Sequence, residues 1–251
     1  MPITPYQGYG AVKSTTALSG HKPEWAGNPA MPSFLQKKNL ADRAKLIDRD
    51  NRDAFAGPLH TMHADRKTVF IDQLKWDLAV TDDALDIDEY DTENTLYLMV
   101  QDDVTGGHLG SVRLLATTGP HLLADKFAHL CADGVPRAAD TYEITRLVTR
   151  PGLPRDAAER VREQLCVAIV EFALARGITA FTMMTHMAFL SAVIAVGWDC
   201  EPLGMPHDLD GVPVAALRIT IDAATLVRLQ EQWNFVAPVL RLDLSESALV
   251  V

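Results

Sequence analysis

Charged residues placed inside apolar runs are the first candidates for chemistry. Arg113 stands in GSVRLLAT between Val112 and Leu114, and Glu143 and Arg146 stand in TYEITRLV. Burying an unpaired ion is costly, so these side chains pair, line a polar pocket, or lie on the solvated face of an antiparallel pair. Two acids, Asp88 and Asp91, fall in DIDEYD. That spacing lets one tight or helical turn aim both carboxylates the same way, and it equally suits two surface charges. Arg66 and Phe70, four residues apart, share one face of any helix that covers them, and Trp76 follows. Such a trio serves either as a ligand cage or as core packing beneath a snorkelling arginine.

The elements that must position these groups follow from periodicity. Met62, Val69, Phe70 and Leu74 recur at helical spacing and predict a helix near 58–75. An acidic stretch from Thr81 to Glu93 is too rich in Asp for a strand interior. Strands are predicted at 95–101 and 108–117, joined by the turn DDVTGG, and at 141–149, with a short helix in LLADKFAHL. A longer helix opens at Asp156, with Glu159 completing a capping box, and stops at Gly177. ITAFTMM reads as a buried strand, MAFLSAVIAV as an apolar helix ended by Gly197, 212–221 as a late strand and 223–233 as a last helix. Strands alternating with helices give an α/β sandwich around a mixed sheet. Strict alternation puts Glu143 and Arg146 on opposite faces unless a bulge or a splay intervenes.

Residues 1–55 differ from the rest. Their early glycines and prolines read as a partly flexible N-terminal extension, with a short charged helix over 38–50, and the main domain is expected at 56–251. The net charge of −10 opposes nucleic-acid binding, which requires a basic surface. Three scattered cysteines fit neither a disulfide framework nor a zinc site, and the histidines lack HExxH spacing, so no metal is expected. No apolar run is long enough for a membrane span and no secretory signal is evident, so a cytoplasmic location is expected.

Taken in order, Arg66-x3-Phe70-x5-Trp76, Asp88-x2-Asp91, Arg113 in GSVRLLATTGPHLLADKF with Phe127 at its end, and Glu143-x2-Arg146 resemble the LuxI-type acyl-homoserine lactone (autoinducer) synthases. The likeness spans about residues 57–222, and Thr145 stands where that family usually has serine. It implies a GCN5-related N-acetyltransferase-like sandwich with a mixed, mostly antiparallel sheet flanked by helices. It also implies S-adenosylmethionine as acyl acceptor and an acyl thioester, on acyl carrier protein or coenzyme A, as donor; both are substrates, and no cofactor is implied.

By the same resemblance, Arg66, Phe70 and Trp76 belong to the segment closing over S-adenosylmethionine. Asp88, Asp91, Arg113, Phe127 and Arg146 help shape that pocket, with Arg113 and Asp91 close to the chemistry, and Glu143 is the candidate base for the amine proton, directly or through a water. Met183, Met184 and Thr185 would line the acyl-chain pocket, the methionines serving equally as core, and the Thr185 hydroxyl is placed either to meet a 3-oxo group or to cap the next helix. The arginines between Arg146 and Arg162 offer either a carrier docking patch or a salt-bridged helix surface. The alternative function is a long-chain N-acyl amino acid synthase of the same fold, which would have no need of the Arg66–Phe70–Trp76 and Asp88–Asp91 sets.

Overall fold

A computed structural model describes residues 44–76 and 84–241. The expectations for the first forty-odd residues therefore lie largely outside the described residues. Strands β1 (Ala44–Ile47), β2 (Leu96–Gln101), β3 (His108–Ala116), β4 (Thr141–Thr149), β5 (Ala180–His186), β6 (Asp199–Pro202), β7 (His207–Leu209), β8 (Val212–Thr220) and β9 (Leu240–Arg241) form one sheet. Its order is β6-β8-β5-β4-β3-β2-β1-β9, with β7 also on β8. Only the β4–β5 and β1–β9 pairs are parallel. Around it lie α1 (Ala56–Arg66), continued by a π-helical turn over Lys67–Gln73, α2 (Leu122–Lys126), α3 (Arg155–Arg176), α4 (Leu190–Ala195) and α5 (Ala223–Trp233). No helix among the described residues is long and apolar enough to cross a membrane.

Alternation sorts the strand side chains into two layers. Leu98 and Val100 of β2, Val112 and Leu114 of β3, and Ile144 of β4 join Val161, Leu165 and Phe172 of α3 in the main core. Tyr97 and Met99, one step out of phase, meet Leu59 and Met62 of α1 on the other face. Gly110 makes the α3 packing possible, since a Cβ there would sit 2.4 Å from Val161 Cγ1. Gly177 ends α3 in the left-handed conformation (φ 66°), as its position after the apolar stripe predicts.

Two expectations are corrected. The stretch expected as a charged helix over 38–50 contains β1, whose Ala44 and Leu46 pack toward α3 and whose Ile47 packs toward α1. The sheet therefore begins well before residue 55. Three apolar side chains in a run of charges are too few to show a period, and pairing with β2 and β9 decides the conformation. In addition, α3 starts two residues earlier than expected, with Pro154 rather than Asp156 at its cap position and no side-chain cap. Asp156 lies inside the first turn, where its charge still faces the positive helix end, and Glu159 accepts from Arg155 Nε at 2.9 Å instead of closing a capping box.

Candidate active site

The site is built on the α1 face of β3 and β4, where two irregularities override alternation. Ser111 pairs with Val148 but Arg113 pairs with Thr145, so three residues of β4 span two of β3. The extra residue is absorbed at Arg146, whose φ is +52°. This bulge turns Arg146 onto the face that already carries Arg113, Glu143 and Thr145. A second register shift, between Val100 and Gln101, brings His108 to the same face as Ser111.

Opposite these strands, the acidic loop folds as a turn that caps itself. The backbone N–H of Asp88 donates to Asp91 Oδ2 at 3.0 Å, and that of Tyr90 donates to Asp88 Oδ1 at 2.9 Å. The carboxylates thus fixed meet three arginines in a closed, alternating ring. Arg66 donates to both oxygens of Asp91 (2.8 and 3.0 Å) and through Nε to Asp86 (3.1 Å). Asp86 also accepts from Arg146 Nε at 2.9 Å, and Arg146 Nη2 reaches Asp88 Oδ2 at 3.1 Å. Arg113 grips Asp88 with both terminal nitrogens and approaches Asp91 Oδ2 at 3.0 Å, which closes the ring. Its Nε donates to Thr145 Oγ1 at 2.9 Å. Arg113 and Asp86 are fully buried and Arg66 nearly so, which removes the solvated-face reading for Arg113.

The six ions are not equally compensated. Burial opposes the charge on Arg66 and Arg113, but the carboxylates outweigh it and their pKa values rise. Burial also pushes the Asp91 and Asp86 carboxyls up, and the guanidiniums reverse this, holding both below the usual carboxylate range. At Arg146 burial wins over Asp86, and its pKa falls. Arg146 is the arginine with most to gain from another anion. It also lies over the Phe70 ring, 5.4 Å from the centroid. Phe70 stacks on Trp76 at 4.8 Å, and Trp76 leans on His186 of β5 at 5.0 Å. The wide π-helical turn after Arg66 brings Phe70 and Trp76 together, with the backbone N–H of Trp76 donating to the Phe70 carbonyl.

Glu143 lies along the same face, outside the ring and fully buried. Its two oxygens accept from the backbone N–H groups of Leu122 and Leu123, at 2.8 and 2.7 Å. Burial raises its pKa more than these bonds and Arg113 lower it, and the carboxyl settles at about 7. A carboxylate so poised exchanges protons readily near neutrality. Beside it, β4 and β5 pair only as far as Glu143 and Thr182, although both strands continue. Beyond that point the β5-facing edge of β4 is open.

A family model described as autoinducer synthase matches residues 52–229. The chain belongs to the autoinducer synthase family. The acyl-homoserine-lactone synthase of Ralstonia nicotianae is 33% identical over 170 residues, 65% of this chain and 82% of the relative. The isovaleryl-homoserine lactone synthase of Bradyrhizobium diazoefficiens is 30% identical over 184 residues, 72% of this chain and 80% of the relative. A solved CoA-dependent acyl-homoserine lactone synthase, BjaI with SAM and isopentyl-CoA, superposes with a TM-score of 0.73 at 25% identity, over 80% of this chain and 93% of that one. The fold is thus the expected acyltransferase-like sandwich, and the activity is acyl-homoserine lactone synthesis.

The structure brings together most of the residues singled out in this synthase. Arg66, Asp88, Asp91, Arg113 and Arg146 share the ring, and Phe70 and Trp76 adjoin it at Arg146. Phe127 lies apart, in an apolar cluster with Leu123, Leu130, Cys131, Val214 and Ala216, and Met184 packs there too. Met183 packs on the α3 core, and alternation along β5 puts Thr185 on that side as well. The expected acyl-pocket trio is therefore split between faces, and the Thr185 hydroxyl is spent on the His186 carbonyl at 3.3 Å. Sequence reasoning missed Asp86, Tyr97, which donates to Asp91 at 2.6 Å, and Thr182, the direct partner of Glu143. Asp86 had a signal in its spacing, two residues before Asp88; Thr182 had none without the strand register.

Proposed function

We propose that this synthase acylates the amine of S-adenosylmethionine in the pocket bounded by the ring, the aromatic stack and Glu143, and that its donor is an acyl-CoA. The observation that carries the reading is a buried carboxylate, titrating at about 7, on the same sheet face as an under-compensated arginine and an aromatic stack. Arg146 receives the substrate carboxylate, and the Phe70–Trp76 faces hold the sulfonium through their quadrupoles. Glu143 takes one proton from the ammonium. The free amine attacks the thioester carbonyl, and N–H groups on the open edge of β4 stabilise the oxyanion. The C–S bond of the donor breaks and the thiolate leaves with the second amine proton. The substrate's carboxylate then attacks the carbon bound to the sulfonium, closing the lactone and expelling methylthioadenosine.

Coenzyme A is favoured by the surface. Acyl carrier proteins are acidic, and a chain of net charge −10 repels them. Two of the arginines that could have offered a basic patch are engaged: Arg155 with Glu159, and Arg160 with Glu163, the Trp233 carbonyl and the Phe235 ring. The CoA dependence of the similar solved synthase points the same way. The test is to incubate purified protein with S-adenosylmethionine and matched acyl-CoA or acyl-carrier donors, and to follow methylthioadenosine and lactone by mass spectrometry. Equal progress on both carriers would remove the donor assignment. Formation of N-acyl amino acids without methylthioadenosine would remove the lactone synthase reading itself.

A further inference from the structure

We propose that His121 is a proton-relay residue of this site, receiving at Nε2 the proton that Glu143 takes from the amine. The inference rests on the function proposed above and adds to it a residue outside the ring and the aromatic stack.

His121 is fully buried at the N-cap of α2. Its Nδ1 lies 2.9 Å from the Gly119 carbonyl oxygen, which can only accept, so Nδ1 carries a hydrogen and the neutral ring presents a bare lone pair at Nε2. That Nε2 is buried and has no hydrogen-bond partner among the described residues. A buried acceptor without a donor is uncommon and calls for a reason. The reason lies in the next two residues, since Leu122 and Leu123 are the pair whose N–H groups hold both oxygens of Glu143. Imidazole and carboxylate are thus attached to one turn. On the other flank of Glu143, the Thr182 hydroxyl is also buried and unpartnered. Two unsatisfied polar atoms thus belong to neighbours of Glu143: one on the turn that holds its oxygens, the other on its register partner in β5.

After each amine deprotonation the buried Glu143 must discharge its proton before it can act again. The other groups that influence it are poor acceptors. Arg113 cannot accept. Burial and Glu143 itself keep the Cys131 thiol protonated, and Asp125 is exposed on the solvent side of α2. His121 Nε2 is the unpaired acceptor on that turn. In the relay, the carboxylic O–H of Glu143 gives its proton to Nε2 across one water. The carboxylate is restored, and the imidazolium releases the proton as products leave. No electron pair other than that of Nε2 is used.

His121→Asn separates the relay from a purely structural role, because the amide still donates to the Gly119 carbonyl but offers no base. We expect kcat to fall tenfold or more, KM for S-adenosylmethionine to stay within twofold, and the limb of the kcat–pH profile near neutrality to change shape. Added imidazole should restore turnover to His121→Gly, which leaves room for the ring. Wild-type kcat and pH profile in His121→Asn would overturn the proposal, as would a slow His121→Asn enzyme whose His121→Gly counterpart gains nothing from imidazole. Absence of lactone from the unmodified enzyme would instead count against the proposed function, so the two failures are told apart.

Discussion

Asp86→Asn is the sharpest probe of the ring, because it keeps the side-chain volume and removes one charge of six. Asp86 Oδ2 lies 3.1 Å from Arg66 Nε and 2.9 Å from Arg146 Nε, with no solvent to replace it. An asparagine can offer its oxygen to one guanidinium, but its NH2 then faces donors. Removing one partner of a buried ion pair costs about 3–5 kcal/mol. Arg66 retains Asp91 and Arg146 retains Asp88, which puts the expected loss near the lower end, about 3 kcal/mol. For a domain of this size each kcal/mol moves the melting temperature by about 2–4 °C, so the variant should melt about 6–12 °C lower at pH 7. The sign with pH is fixed by the direction of the Asp86 shift. Burial raises its pKa, but Arg66 and Arg146 bring it below the unfolded value. Its contribution is therefore complete above the unfolded pKa of about 4 and is lost as pH falls through the folded value. Thermal melts of both proteins from neutral to strongly acidic buffer should show a constant gap that narrows below about pH 4. A drop of under about 2 °C at neutrality, less than 1 kcal/mol, would refute the reading that the ring holds the site together.

Three further outcomes are expected. Glu143→Gln should lower turnover by about 10²-fold or more and abolish the rise of kcat/KM with pH through about 7, where the wild-type carboxyl ionises; a retained limb would assign it to another group. Thr182→Val should change the preference between 3-oxo and unsubstituted donors of equal length by about tenfold, the worth of one buried hydrogen bond, while Thr185→Val should not; the ratio of specificity constants decides, and the reverse result would restore Thr185 as the residue that reads the donor. A chain starting at residue 56 should melt several degrees below one starting at residue 40, because it lacks β1 and exposes the edge of β2; equal melting temperatures would show that β1 adds nothing to the sheet.

The main elements were legible because their signals are local. The β2–β3 hairpin, β4, β5, β8, α3 and α5 each carry several apolar residues in one period, and their limits fall within a few residues of the pattern. The short strands β1, β6, β7 and β9 were not legible: two to four residues contain no period, and pairing with a neighbour defines them. At the site, residue types showed which charges had to be explained, but not how they are paired. Arg113 and Glu143 could be read as buried or solvated until β3 and β4 were covered by α1 and α2. Arg146 could not be placed at all, because alternation assigns it to the wrong face, and its left-handed backbone is not encoded by a glycine or an asparagine. The conformation is held from outside, by Asp86 and Asp88, which a sequence pattern of β4 does not contain.

This dependence accounts for the charge arrangement as a whole. Three arginines and three aspartates cancel, so the ring adds no net charge to a pocket that must hold ions. Ionised Glu143 then sets the pocket at −1, and S-adenosylmethionine, with two cationic groups and one carboxylate, brings +1. The proposed proton transfer from the ammonium to Glu143 would neutralise both the donor and the acceptor, which a poorly solvated site favours over separating charge. The second step has the same character, since attack of the carboxylate on the carbon beside the sulfonium destroys one positive and one negative charge together. In the proposed reaction Arg146 holds that carboxylate without quenching it. An arginine already sharing Asp86 and Asp88 through Nε and Nη2 can orient the anion with its remaining donors and still release it to the reacting carbon.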